Sequence, residues 1–204
     1  VVGQEPSGPA HVVILVDTSA SQTGQFRQRA LDAVAGIVET ARPEDRFTVA
    51  TADVACTPVI DGFHAAASDA MRAAGRALDA KTPLGSTDLA DVLESAVALF
   101  GDRPGPKAII YVGDGPALGG VDREQFTGII DLMVAKRVAM SSFGVGPQVN
   151  WPCLAALASA SGGMLVVPGE DDVAKAVGGH VGRLAVQGVA WPEDVELATA
   201  ADGL

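Results

Sequence analysis

The chain has few cysteines, few positive charges and no long apolar run, and each shortage excludes a class of protein. Two cysteines among 204 residues, Cys56 and Cys153, are too few for a disulfide-stapled scaffold, and their spacing matches no zinc pattern. We expect both thiols to be buried and unpaired. Fourteen Lys and Arg against 25 Asp and Glu give a formal net charge of −11, which argues against nucleic acid and anionic membranes as partners. The apolar runs are far shorter than a membrane span, so we expect no direct membrane insertion.

The chain is 48% hydrophobic, and strand-like and helix-like patterns alternate along it, which predicts a packed α/β domain. The fold class that we expect is a doubly wound, mostly parallel six-stranded sheet with one antiparallel edge strand and helices on both faces. Pro58 places the third strand at the edge. The predicted strands are Val12–Val16, Arg46–Ala52, Cys56–Ile60, Lys107–Val112, Val138–Phe143 and Met164–Val167, and the predicted helices include Gln25–Ala41, Ala65–Ala80, Asp122–Ala135, Trp151–Ala160 and Asp171–Leu184.

Oxygen-bearing side chains follow two strands and precede one helix. Asp17, Ser19 and Ser21 come directly after the wholly apolar first strand, and Asp114 follows the fourth strand in Gly-Asp-Gly. Thr87 stands at the start of a further helix with an apolar face. In a doubly wound order of 3-2-1-4-5-6 the first and fourth strands are neighbours about 4.8 Å apart, so both carboxylates could share one cation. Oxygen ligands suit a hard ion such as Mg²⁺. Alone, the first motif could equally be a helix cap.

Together, these three segments resemble the metal-ion-dependent adhesion site of the von Willebrand factor type A (vWA) domain, and the resemblance covers Val12 to Leu184. It implies a complete site for Mg²⁺, or for Mn²⁺ or Ca²⁺. Ser19 and Ser21 would bind the ion directly, Thr87 directly or through water, and Asp17 and Asp114 largely through water. One position would stay open for an Asp or Glu carboxylate of a protein partner. By family analogy, the last predicted helix would shift when that carboxylate binds.

Three positions depart from the family pattern without removing a ligand. Family members often have Gly at the position of Ala20, Met at that of Gln22 and Thr at that of Gly113. Of these, Gln22 and Gly113 could alter the shape and the affinity of the site.

The resemblance predicts a divalent-cation-dependent protein-binding module and not an enzyme. We expect residues 1–10 to be a linker, 11–185 the vWA domain, and 186–204 a C-terminal extension or the start of a following β-rich module. We expect the whole chain to be a recognition module within a larger multidomain protein of bacterial type. The sequence does not fix the compartment, and an extracytoplasmic or cell-surface location is favoured over a cytoplasmic one.

Two alternatives stay open. The acidic positions after two strands are also similar to Mg²⁺-dependent haloacid-dehalogenase-type phosphatases, which use an Asp nucleophile and a second acid two residues later. Here that second position is Ser19, which is no general acid near neutral pH. The other alternative is a vWA scaffold whose metal site is purely structural or empty.

The three histidines do not support a Ser-His-Asp hydrolase. His11 opens the first strand, so it lies about 16 Å or more from Asp17. His64 and His180 would have to fold over the site, and no nucleophile-elbow pattern accompanies them.

Overall fold

The protein is described by a computed structural model that covers residues 8–116, 121–169, 172–189 and residue 191. This part of the chain forms one mixed sheet with helices on both faces. Its strands are β1 His11–Asp17, β2 Arg46–Ala52, β3 Cys56–Pro58, β4 His64–Ala65, β5 Lys107–Gly113, β6 Val138–Gly144 and β7 Leu165–Val166. Its helices are α1 Gly24–Glu39, α2 Asp69–Ala80, α3 Leu89–Ala98, α4 Arg123–Lys136, α5 Trp151–Ser161 and α6 Ala174–Ala185.

The sheet order is β3-β2-β1-β5-β6-β7, which confirms the predicted doubly wound arrangement. β1 pairs in parallel with β2 and with β5, and β3 is the antiparallel edge strand that contains Pro58. The structure adds the two-residue β4, which pairs antiparallel with the start of β2. Because β1 and β5 are neighbours, Asp17 at the end of β1 and Asp114 just after β5 lie at the same edge of the sheet.

The apolar run of β1 is buried on both faces, as predicted. Val12, Ile14 and Val16 pack in one core layer with α1, α2 and α6. Val13 and Leu15 pack in the other layer with α3, α4 and α5. The strand whose end carries the first motif is therefore held from both sides.

Two helices begin later than the sequence patterns indicate. The predicted helix Ala65–Ala80 starts only at Asp69, because the Ser68 hydroxyl accepts a hydrogen bond from the backbone N–H of Met71 (3.2 Å) and so caps α2. Alanine favours a helix but does not mark where one starts, and Ala65 lies in β4 instead. The last helix starts at Ala174, and Asp171 lies outside the described residues.

The ends of the predicted domain are only partly covered by the structure. Ala10 is buried, and its backbone N–H donates to Asp45 Oδ1 (2.9 Å), so close packing begins there. The first seven residues of the expected linker, and residues 190 and 192–204 of the expected extension, lie outside the described part. Cys56 and Cys153 are unpaired as expected, but both are only partly buried. Within the described ranges, no helix has the length and apolar character needed to cross a membrane.

Candidate metal centre

All five residues that the sequence singles out come together at the carboxyl edge of the sheet. The hydroxyl oxygens of Ser19 and Ser21 are 2.9 Å apart, and the Ser21 hydroxyl donates to Asp114 Oδ1 (3.2 Å). The Thr87 hydroxyl donates to Asp17 Oδ1 (3.2 Å). The backbone N–H of Ser19 donates to the same Asp17 oxygen (2.8 Å). This bond joins the Ser19, Ser21 and Asp114 side chains to the pair of Thr87 and Asp17. Ser19, Ser21, Thr87 and Asp114 line one cleft of about 530 Å³, hereafter the metal cleft. Asp17 is fully buried beside it and is hydrogen-bonded to two of these residues.

None of these hydroxyls is used to cap a helix. Helix α1 begins after Thr23, whose side chain makes no capping hydrogen bond, so the simple capping interpretation of Ser19 and Ser21 does not hold. Helix α3 is capped by Asp88, whose carboxylate accepts from the backbone N–H of Asp91. The hydroxyl of Thr87, the residue before Asp88, donates to Asp17 instead.

Backbone hydrogen bonds hold the segment that carries Thr87 against the β1–α1 loop. The N–H of Leu84 donates to the carbonyl of Thr18 (2.8 Å), and the N–H of Ala20 donates to the carbonyl of Gly85 (3.1 Å). Asp17 is the last residue of β1 and Ser19 lies in the β1–α1 loop that follows, so these bonds fix where Thr87 lies relative to both. The ligand geometry thus depends on main-chain contacts that side-chain patterns do not show.

A lysine that sequence reasoning missed supports the same segment. Lys81, at the end of α2, donates through Nζ to Thr51 Oγ1 (2.7 Å) and to Asp53 Oδ2 (3.2 Å). The hydroxyl of Thr18 also donates to Asp53 Oδ2 (3.2 Å), and the N–H of Asp88 donates to the Asp53 carbonyl (3.0 Å). Both ends of the Thr87 segment are therefore attached to the end of β2. A lone Lys after a helix gives no sequence signal for such a contact.

The metal cleft concentrates negative charge without a balancing cation. Asp17 is fully buried and Asp114 is 6% exposed, and no Lys, Arg or His is among the described residues that line the cleft. Burial, together with the nearby Asp17 carboxylate, raises the pKa of Asp114 to about 6. The amide oxygen of Gln22, directly after Ser21, is buried and has no hydrogen-bond partner. A divalent cation would relieve the repulsion between the carboxylates, so the residues present fit a hard metal ion.

The described residues contain no group of three or more His, Cys, Asp or Glu side chains able to hold a metal ion. The metal cleft is lined by one carboxylate, Asp114, with Asp17 buried beside it, so an ion there would depend on the hydroxyls of Ser19, Ser21 and Thr87. Neutral hydroxyls and a few waters are ligands that Mg²⁺ accepts. The candidate site is therefore defined by its hydroxyls as much as by its carboxylates.

Tyr111 is the second feature that sequence reasoning missed. The Tyr111 hydroxyl donates to Asp17 Oδ2 (2.6 Å) and accepts from the backbone N–H of Gly115 (3.2 Å). Desolvation by complete burial, together with the Asp17 charge, raises the pKa of Tyr111 well above its ordinary value, so the hydroxyl keeps its proton near neutral pH. In the sequence Tyr111 is one more apolar position of a buried strand. The sequence signal that could have revealed this role is the spacing of Tyr111 and Gly113, which stand two residues apart on β5 and so belong to the same face of the sheet.

Residues 10–167 match the family model of the von Willebrand factor type A domain. The von Willebrand factor type A structure from Catenulispora acidiphila superposes with a TM-score of 0.72 at 18% identity, over 86% of this chain and 41% of that one. Proximal thread matrix protein 1 from the mussel byssus, with a zinc-occupied metal-ion-dependent adhesion motif, gives 0.67 at 23% identity, over 88% of this chain and 46% of that one.

An aerotolerance-related membrane protein from Bacteroides fragilis gives a TM-score of 0.67 at 13% identity, over 86% of this chain and 98% of that one. At these identities the likeness shows a shared fold. The chain spans less than half the length of the Catenulispora and mussel proteins.

Proposed function

This chain belongs to the von Willebrand factor type A family, and we propose that it is a divalent-cation-dependent protein-binding module whose metal is completed by an Asp or Glu carboxylate of the partner. One observation supports the proposal: five oxygen-bearing side chains from three separate segments lie within one hydrogen-bonded group at the metal cleft. They are Asp17, Ser19, Ser21, Thr87 and Asp114. The zinc-occupied adhesion motif of the mussel protein, which shares the fold, makes a divalent ion plausible here.

Charge accounts for the need for an external carboxylate. With hydroxyls as direct ligands, a divalent ion keeps much of its positive charge and attracts a further anion. The described lining of the metal cleft offers no Lys or Arg to hold a partner's carboxylate in the absence of metal. Partner binding should therefore disappear when the ion is removed.

The phosphatase alternative finds no support at the same residues. Asp17 would have to attack a substrate, but its side chain is fully buried and accepts hydrogen bonds from Tyr111, Thr87 and the Ser19 backbone. The proton donor expected two residues later is Ser19. A carboxylate held in this way serves better as a fixed metal support than as a nucleophile.

Thermal unfolding with Mg²⁺ and with EDTA tests the proposal. A ligand that binds only the folded chain raises its stability, so Mg²⁺ should raise the melting temperature. Ser19→Ala should abolish this shift. The matched control Ser95→Ala, at an exposed position of α3, should keep it.

Identical melting curves in Mg²⁺, Mn²⁺ and EDTA would leave only the empty or structural scaffold. Mg²⁺-dependent hydrolysis of a phosphate ester, lost in Asp17→Asn, would instead favour the phosphatase.

A further inference from the structure

Tyr111 lies at the centre of the sheet and reaches its edge. Its neighbours in the register are Leu15 on β1 and Ser142 on β6, and its side chain is fully buried. From there the hydroxyl extends to the carboxyl edge, where it meets Asp17 Oδ2 at 2.6 Å. A hydrogen bond of this length to a carboxylate is of the strong, charge-assisted kind.

Gly113 provides the space through which this contact is made. It lies two residues after Tyr111 on β5, so both would project on the same face of the sheet. A Cβ atom added at Gly113 would come within 2.8 Å of both the Tyr111 hydroxyl and Asp17 Oδ2, and would overlap the Asp17 side chain. The Asp17 side chain, which is the closest neighbour, and the tyrosine hydroxyl together leave no room for a side chain at position 113.

The two oxygens of Asp17 have different partners as a result. Oδ2 points to Tyr111, while Oδ1 accepts from the Thr87 hydroxyl and from the backbone N–H of Ser19. Without the tyrosine hydroxyl, Oδ2 would be buried and unpaired, which is costly for a charged group. The carboxylate would then turn toward other donors, and the oxygen on the side of Ser19 and Thr87 would lose its fixed position.

We propose that Tyr111 is a positioning residue for the metal centre: its hydroxyl fixes the orientation of Asp17 and thereby the metal affinity of the cleft. This inference rests on the proposed metal binding and concerns how this chain in particular achieves it. Residues that orient a metal-supporting carboxylate typically change metal affinity about 10- to 100-fold when they are removed.

Tyr111→Phe tests the role, since it removes one oxygen and keeps the ring in the core. We expect the Kd for Mg²⁺, measured by titration calorimetry, to rise at least about tenfold. Ser142→Ala is the matched control, because it deletes a buried hydroxyl at the adjacent register position that has no hydrogen-bond partner. Its Kd should equal that of the unaltered chain.

Tyr111 is also the only tyrosine of the chain, which gives a direct spectroscopic probe. With tyrosine labelled with ¹³C at Cζ, the protein has one such resonance. We expect it to move on Mg²⁺ titration and to saturate at the Kd found by calorimetry, because the hydroxyl contacts a carboxylate that the ion polarises. A tyrosine without this contact to Asp17 would not report on the ion.

The outcomes separate the two proposals. If the unaltered chain binds Mg²⁺ and Tyr111→Phe binds it equally well, the positioning role is wrong and metal binding stands. If the unaltered chain shows neither a heat of binding nor a melting shift, metal binding itself is wrong, and the positioning role with it. Should the variant not fold, the ¹³C resonance of the unaltered chain decides, and a Cζ signal that stays fixed at saturating Mg²⁺ overturns the inference.

Discussion

The α1–α6 interface and the metal cleft lie in one domain but are built on opposite principles. At the interface, Thr40 Oγ1 donates to the carbonyl of Gly179 (3.0 Å), and glycines let the two helix backbones touch. A Cβ at Gly36 would overlap the carbonyl of Lys175, and one at Gly178 would overlap the backbone of Ala33. Nothing further is needed to complete this contact.

At the metal cleft the balance is reversed, because Asp17 and Asp114 are buried close together with no cationic side chain in the described lining. The interface is complete within the chain, whereas the cleft would gain from an added ion. The α1–α6 interface therefore stabilises the domain, and the metal cleft holds the residues of the proposed function.

The largest effect is expected from Gly36→Ala in α1. The added methyl group must push the backbone of α6 away, and overpacking of this kind costs about 3 kcal/mol of unfolding free energy, more than the roughly 1 kcal/mol that Ala gains in helix propensity. Urea denaturation followed by circular dichroism measures the loss.

Gly75→Ala in α2 and Gly128→Ala in α4 are the controls, since a Cβ at either position meets nothing within 4 Å. Both should be neutral or stabilising by up to about 1 kcal/mol. If Gly36→Ala behaves as these controls do, the close helix contact is not a source of stability.

A smaller effect of opposite sign is expected from Asp114→Asn in the metal cleft. The pKa of Asp114 is raised to about 6, so the folded, metal-free chain is penalised at pH values above that figure, by up to about 2–3 kcal/mol. In EDTA at pH 8 the variant should therefore unfold at higher urea than the unaltered chain, while losing stabilisation by Mg²⁺.

The pH dependence gives the sign of that prediction an independent check. An acid whose pKa is higher in the folded state is favoured in its protonated form there, so the penalty shrinks as the pH falls through 6 toward 4. The stability gain of Asp114→Asn in EDTA should shrink with it. A gain that is constant from pH 8 to pH 4 would mean that the buried charge of Asp114, desolvated and close to Asp17, is not its source.

Much of the fold and of the candidate site could be predicted from the sequence. The features that could not be predicted depend on contacts between residues far apart in the chain. The buried first strand, the sheet order and the convergence of Asp17 with Asp114 follow from apolar runs and alternation, which are local patterns. Gly36, by contrast, reads as a weak helix residue, and Tyr111 as a core residue of β5. Their roles appear only when α6 or Asp17 is placed beside them.

The smallest effect is predicted for the last helix, whose amide hydrogen exchange should hardly change when Mg²⁺ is added. Family analogy would let this helix, α6, shift when a ligand completes the metal. The glycine contacts at Gly36 and Gly178 oppose such a shift, because sliding would bring side chains against backbone that only glycine accommodates.

Amide hydrogen exchange with and without Mg²⁺ measures whether α6 responds to the ion. We expect slower exchange in the β1–α1 loop and around Thr87, and less than about a twofold change in α1 and α6. Mg²⁺-dependent exchange in α6 as large as that around Thr87 would show instead that the two regions are coupled, and that the metal cleft acts on the interface that stabilises the domain.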